Sequence, residues 1–193
     1  MLIRPKTPWR FYKTKEHTMT THLTESQNQQ HNLKWNQVLI CSAVVIALID
    51  RITKILSNAN LEMGVPVSVF PGFDLLLAYN TGAAFSFLSD AGGWQRWFLT
   101  SVSLGVSILL IVWIARLPKV QKLQGIALAM ILGGALGNLY DRMFAGYVID
   151  FISIYFMDYR FATFKIADSA ISVGAALMIL NIFREHRQTS DQE

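Results

Sequence analysis

The sequence predicts an all-α membrane protein with four transmembrane helices, a small sheet on the outer surface and both termini in the cytoplasm. Three observations carry that expectation. Of 193 residues, 52% are hydrophobic and only 16% charged, whereas soluble domains carry about 25% charged residues. Four long uncharged stretches recur along the chain, and the Lys and Arg residues gather in alternate connections between them.

A helix needs about 20 mainly apolar residues to cross the hydrocarbon core. Trp35–Ile49, Trp97–Ala115, Leu123–Tyr140 and Ser169–Phe183 come close. The first gains length only by adding Ile52, Ile55 and Leu56, and the last by adding Ile166 and Ala167. Both therefore carry charge near one end, which is expensive in lipid and needs a reason. For orientation, the N-terminal segment holds Arg4, Lys6, Arg10, Lys13, Lys15 and Lys34, the turn between spans two and three Arg116, Lys119 and Lys122, and the tail Arg184 and Arg187. Ile55–Gln95 contains neither Lys nor Arg. The positive-inside rule then puts the termini and the short turn inside and two loops outside.

Residues 1–34 are polar, rich in Thr, Gln and Asn, and lack the apolar run of a secretory signal. They are expected to form a disordered cytoplasmic extension, with Met19 as an alternative translation start. A membrane domain over 35–184 and a cytoplasmic tail over 185–193 follow. In the first outer loop Val65–Phe70 alternates and is rich in β-branched residues, bounded by Gly64 and by Pro71-Gly72. Phe73–Tyr79 is a second strand-like run, so the two suggest a small outer sheet. Trp94, Trp97, Tyr147 and Tyr155 flank the spans, where interfacial aromatics belong.

Several function classes drop out. The net charge of +4 comes from basic residues beside apolar runs, with no aromatic-basic stripe to read bases, so nucleic acid is not expected as a partner. The one cysteine, Cys41, forms no internal disulfide and reads as a small buried hydrophobe. No internal repeat supports a transporter built of repeated halves. His17, His22, His31 and His186 all lie on the cytoplasmic side, away from any outer-face site, so a His-based metal centre or triad is not expected there.

The topology brings carboxylates together. Spans one and three run outward and meet Asp50 and Asp141 near their ends, and span four runs inward from Asp168, so three acids reach one outer face. Asp150, in the second outer loop, can join them. Along Gly133–Arg142 the small residues at 133, 134 and 137 permit close helix approach. Asn138 and Asp141 are three apart and share a helical face. Asp168 alone reads as a helix cap. Two carboxylates sharing one site hold a single proton between them. The ionised member can take a proton from water while its partner donates to a scissile carbonyl. Asn80-Thr81-Gly82 reads as a turn whose amide and backbone donors could hold a peptide or an oxyanion. Two other chemistries stay open: a Ser–Lys dyad of Ser169 or Ser153 with Lys54 or Lys165, and a proton or ion relay through Asp50, Asp141 and Asp168.

Five stretches taken together resemble the lipoprotein signal peptidases, or signal peptidase II. They are Asp50-Arg51-Ile52-Thr53-Lys54, Asn80–Ser86, Gly133–Arg142, Val148–Phe151 and Ala167-Asp168-Ser169, in family order over about residues 36–183. The resemblance implies a bacterial inner-membrane aspartic endopeptidase with a small periplasmic β-cradle. It would act at the periplasmic face and cleave prolipoproteins before a diacylglyceryl-modified cysteine. It would need no cofactor or metal, would contact membrane lipids, and would be blocked by globomycin-type peptides. On this chain it implies Asp150 and Asp168 as the catalytic pair. Asn80, Gly82, Asn138 and Arg142 would bind substrate or organise the site, with Asp50, Lys54 and Asp141 in support. Two positions depart from the family pattern: Arg51 replaces a common Gln, and Lys165 a usual Asn. A cation three residues before Asp168 favours ionised Asp168, so Lys165 threatens the acid half of the mechanism unless it points to water or pairs with another carboxylate. On that reading Lys165→Asn preserves or improves cleavage.

Overall fold

The chain packs around its third helix. A computed structural model describes residues 9–82, 93–157 and 159–190, with side chains over 32–82, 93–157 and 159–187. It contains α1 (Trp9–Asn60), β1 (Val67–Phe70), β2 (Phe73–Asn80), α2 (Trp94–Arg116), α3 (Lys122–Phe144), β3 (Val148–Phe156), β4 (Tyr159–Arg160) and α4 (Ile166–Ser190). Among the described residues α2, α3 and Ile166–Arg187 of α4 are long and apolar enough to cross a membrane. The remaining expected span lies inside α1, whose apolar stretch runs into Asp50, Arg51 and Lys54.

α3 packs against α1, α2 and α4. Leu39, Ala43, Leu110, Ile114, Leu117, Leu128, Ala129 and Leu132 are buried between α1, α2 and α3. The outward faces are apolar as well: Leu48 and Ile52 of α1, Trp97 and Leu109 of α2, and Leu180 and Phe183 of α4 are exposed. A bundle that is apolar inside and out suits hydrocarbon. The small residues of α3 do permit close approach. A methyl group at Gly133 would sit 2.7 Å from Ile46 Cβ, one at Gly137 2.6 Å from Asp50 Oδ2, and one at Gly134 would strike the Ala167 carbonyl.

Polar ties close the bundle ends. Asn36 Nδ2 donates to the Ala115 carbonyl (3.2 Å), and the Lys119 N–H donates to Asn32 Oδ1 (2.9 Å). At the other end Arg96 donates to the carbonyls of Arg142 (2.9 Å) and Met143 (2.7 Å), capping the last turn of α3.

The strands form one antiparallel sheet in the order β1-β2-β3-β4. β1 and β2 fall on the two runs expected to pair, joined through Gly72 at φ 92°. β3 is an addition, because Val148–Phe151 reads from sequence only as an apolar run broken by a carboxylate. β2 and β3 pair as Asp74↔Ser153 and Leu75↔Ile152, then slip by one residue to Ala78↔Asp150 and Asn80↔Val148.

One expectation is corrected. Cys41 is exposed on α1 rather than buried, because its position lies away from α3, where a small apolar side chain can face outward. α1 starts at Trp9, well ahead of its apolar stretch. No Pro or Gly interrupts residues 9–60, and polar residues such as Gln, Lys and Glu are good helix formers.

Candidate active site

The slip between β2 and β3 decides what faces Asp150. Along β3, Asp150 and Ser153 are three residues apart and point to opposite faces, whereas on a regular strand Asp74 and Asn80 would share one. The extra residue between Leu75 and Ala78 turns Asn80 over to the Asp150 face. Asn80 Nδ2 then donates to Asp150 Oδ2 at 3.1 Å, and Asn80 Oδ1 accepts the Gly82 N–H at 2.9 Å. On the other face Arg160 bonds Asp74 Oδ2 and Ser153 Oγ, both at 2.7 Å. Asp150 itself is 2% exposed.

The second carboxylate arrives on α4. Asp168 lies in the helix's first turn, where an acid is favoured, and its side chain is 38% exposed. Asn138 Nδ2 of α3 donates to Asp168 Oδ1 at 3.2 Å. The backbone of Phe164 pairs with Ile152, two residues from Asp150, which delivers Lys165 between the acids. Lys165 Nζ donates to Asp150 Oδ1 at 2.6 Å and to Asp168 Oδ2 at 2.7 Å, and Lys165 is 3% exposed. It points away from water, and the other carboxylate it pairs with is Asp150 itself.

These groups line a cavity of about 750 Å³ with Arg142, Phe161, Ile171 and Ser172 among its other walls. Arg142 Nη2 reaches the Gly82 carbonyl at 3.4 Å. Asn138 Oδ1 and Arg142 Nε are buried with no partner among the described residues. Ala83–Ser86, the rest of the motif that begins at Asn80, lies outside the described residues.

Asp50, Lys54 and Asp141 form a separate cluster beneath this site. Lys54 Nζ bridges Asp50 and Asp141 Oδ2, the latter at 2.6 Å, and all three are buried. Arg51 Nη1 reaches Asp141 Oδ1 at 3.3 Å and lies over the Tyr140 ring. Asp50 Oδ1 accepts the Ala167 N–H at 2.7 Å. The three acids considered as a relay are thus split between two lysine-centred clusters. Neither candidate serine meets a lysine amine, because Ser169 Oγ donates to the Lys165 carbonyl and Ser153 is taken by Arg160. Two contributors had no individual signal in the sequence. Arg96 became relevant only once α2 placed it at the end of α3, and Arg160 only once β3 and β4 placed it over Asp74.

A bundle of apolar helices whose sheet-bearing end encloses paired carboxylates defines a helical membrane enzyme. Comparison with known proteins narrows the class. The family model described as Signal peptidase (SPase) II matches residues 42–184, and the chain belongs to the signal peptidase II family. It is 50% identical over 147 residues to a lipoprotein signal peptidase of Teredinibacter turnerae, covering 76% of this chain and 85% of that one. It is 51% identical over 144 residues to the Shigella boydii lipoprotein signal peptidase, covering 75% and 88%. Its fold is similar to a solved bacterial membrane enzyme at a TM-score of 0.71 and 27% identity, covering 81% of this chain and 92% of that one.

Proposed function

We propose that this protein is an aspartic endopeptidase that removes signal peptides from prolipoproteins, cleaving just before the lipid-modified cysteine, with Asp150 and Asp168 as the hydrolytic pair. The observation that carries the reading is the convergence of these two carboxylates on one nitrogen inside an apolar-walled cavity. One carboxylate takes a proton from water as it attacks the scissile carbonyl, then returns it to the leaving nitrogen. The buried acceptor Asn138 Oδ1 and donor Arg142 Nε suit the N–H and C=O of a substrate backbone. The Gly82 carbonyl accepts from Arg142, itself a wall of the cavity.

The setting proposed for this chemistry is a bacterial inner membrane crossed four times, with residues 35–184 as the membrane domain, both ends cytoplasmic and the sheet at the periplasmic face. The Lys and Arg distribution supports that orientation. A diacylated cysteine keeps its chains in the bilayer, so its scissile bond lies near the interface where such a site would meet it. Globomycin-type peptides would then compete for the cavity.

A purified-protein assay on a lipidated precursor peptide tests the reading. Wild type cleaves before the modified cysteine, and globomycin blocks it. Asp150→Asn and Asp168→Asn fold but do not cleave. Normal cleavage by either folded variant ends the proposal.

A further inference from the structure

Resting on the assignment of Asp150 and Asp168 as the hydrolytic pair, we propose that Lys165 is a third catalytic residue: its ammonium holds both carboxylates ionised at rest and supplies the electrophile that a shared carboxyl proton would otherwise provide. The charge balance favours this. Two carboxylates and one ammonium sum to a single negative charge, the same as two carboxylates that share one proton beside a neutral residue. Lys165 thus carries the site's extra proton on nitrogen rather than on oxygen. The charged side chains lining the cavity, among the described residues, are Asp150 from β3, Asp168 and Lys165 at the α4 entry and Arg142 from α3. Asn80 and Asn138 face the carboxylates as neutral donors.

Geometry fits the role. An ammonium has three N–H donors, of which two go to Asp150 and Asp168. The third has no partner among the described residues and is left for a carbonyl oxygen that enters the cavity. Each carboxylate keeps its other oxygen on an asparagine, so Lys165 can turn towards substrate without leaving either acid unpartnered.

The step balances without another reactant. Asp168, the more open carboxylate, takes a proton from water as the water oxygen bonds to the scissile carbon. The charge pushed onto the carbonyl oxygen is met by the Lys165 ammonium, which keeps its proton. The Asp168 carboxyl then passes its proton to the nitrogen as the C–N bond breaks. The new carboxylic acid loses its own proton to bulk water, and Asp168 is again ionised.

The distinguishing experiment compares pH–rate profiles of full-length wild type, Lys165→Asn and Lys165→Met on a lipidated precursor peptide. Thermal unfolding in detergent confirms that each variant folds. Without the ammonium the pair must share a carboxyl proton, which is lost more readily than a lysine proton. Both variants are expected to cleave within about tenfold of wild type at their own optimum, while their upper-pH limit falls by roughly one pH unit or more. Infrared difference spectra give a second readout: a protonated carboxyl band appears in both variants, is missing from wild type and disappears again when Asp150→Asn is added. An unchanged upper-pH limit, a carboxyl band already present in wild type, or two folded variants inactive at every pH would overturn the proposal. Normal cleavage by Asp150→Asn or Asp168→Asn would instead remove the hydrolytic pair on which it rests.

Discussion

Asp50 of α1 accepts a 2.7 Å hydrogen bond from the backbone N–H of Ala167, the residue immediately before Asp168. The same carboxylate is ion-paired to Lys54, which also holds Asp141 of α3. One buried acid therefore ties three helices together at the point where Asp168, one of the proposed hydrolytic pair, enters. Its charge, costly in lipid by itself, is compensated by partners drawn from α1 and α4.

Replacing Asp50 separates these roles. Asp50→Ala leaves Lys54 with one carboxylate instead of two and the Ala167 N–H without its acceptor. Removing one member of a buried pair costs about 3–5 kcal/mol, so the variant should melt well below wild type in detergent and cleave poorly. Asp50→Asn keeps an oxygen for Ala167 but no charge for Lys54 and should fall between them. An Asp50→Ala protein as stable as wild type would show that the cluster does not brace the bundle.

The glycines of α3 make a second, steric prediction. Gly134→Ala drives a methyl into the Ala167 carbonyl, and Gly137→Ala places one 2.6 Å from Asp50 Oδ2. Neither neighbour can yield without moving the α4 entry. Both variants should lose at least about tenfold in cleavage rate, since a misplacement of about 1 Å at the reacting groups can cost about a hundredfold. Gly105→Ala on α2 meets nothing within 4 Å and should be neutral, or stabilising by up to about 1 kcal/mol. Equal behaviour of the three variants would refute the close-approach account.

The contrast between these glycines marks what could be read in advance. The helices over Trp97–Ala115, Leu123–Tyr140 and Ser169–Phe183 were legible because an apolar run of that length has few other destinations. The first two strands were legible because alternation and Gly/Pro boundaries are local signals. Asp150 and Asn138 stood out as polar groups inside apolar runs, Asp168 as a helix cap and Asn80 as a turn residue; the family resemblance grouped them as one site, and the cavity does bring them together. The one-residue slip that turns Asn80 towards Asp150 could not be read, since it depends on the pairing of β2 with β3 across 70 residues of chain. Nor could the position of Lys165, which looked like an intruder beside Asp168 until the pairing of Phe164 with Ile152 placed it between both acids.

The two asparagines should matter for rate more than for binding. Each donates to a different member of the proposed hydrolytic pair, and hydrogen bonds to charged groups are worth about 1.5–3 kcal/mol. Asn80→Ala and Asn138→Ala should each lower kcat by roughly tenfold to a hundredfold. Asn80→Asp should be worse than Asn80→Ala, because it replaces a donor with a like charge beside Asp150. Steady-state kinetics on a lipidated peptide would decide, and an Asn80→Asp enzyme faster than Asn80→Ala would count against the assignment.

Arg96 offers the prediction least visible from the sequence. It leaves the first turn of α2 to bond the carbonyls of Arg142 and Met143, satisfying acceptors that the end of α3 leaves without helical partners. Its charge also suits the negative end of the α3 dipole. Gly146, at φ 81°, lets the chain turn so tightly that a methyl group there would sit 3.1 Å from Arg96 Nη1. Arg96 therefore fixes the end of the helix that aims Arg142 into the cavity. Arg96→Gln should cost about 1–3 kcal/mol and reduce cleavage, and Arg96→Lys should recover part of each loss by reaching one carbonyl. Gly146→Ala should reproduce the defect through backbone strain and crowding of the guanidinium. The thermal midpoint and kcat/KM of the three variants form the check. Wild-type kinetics in Arg96→Gln would mean that α3 holds Arg142 in place without this cap.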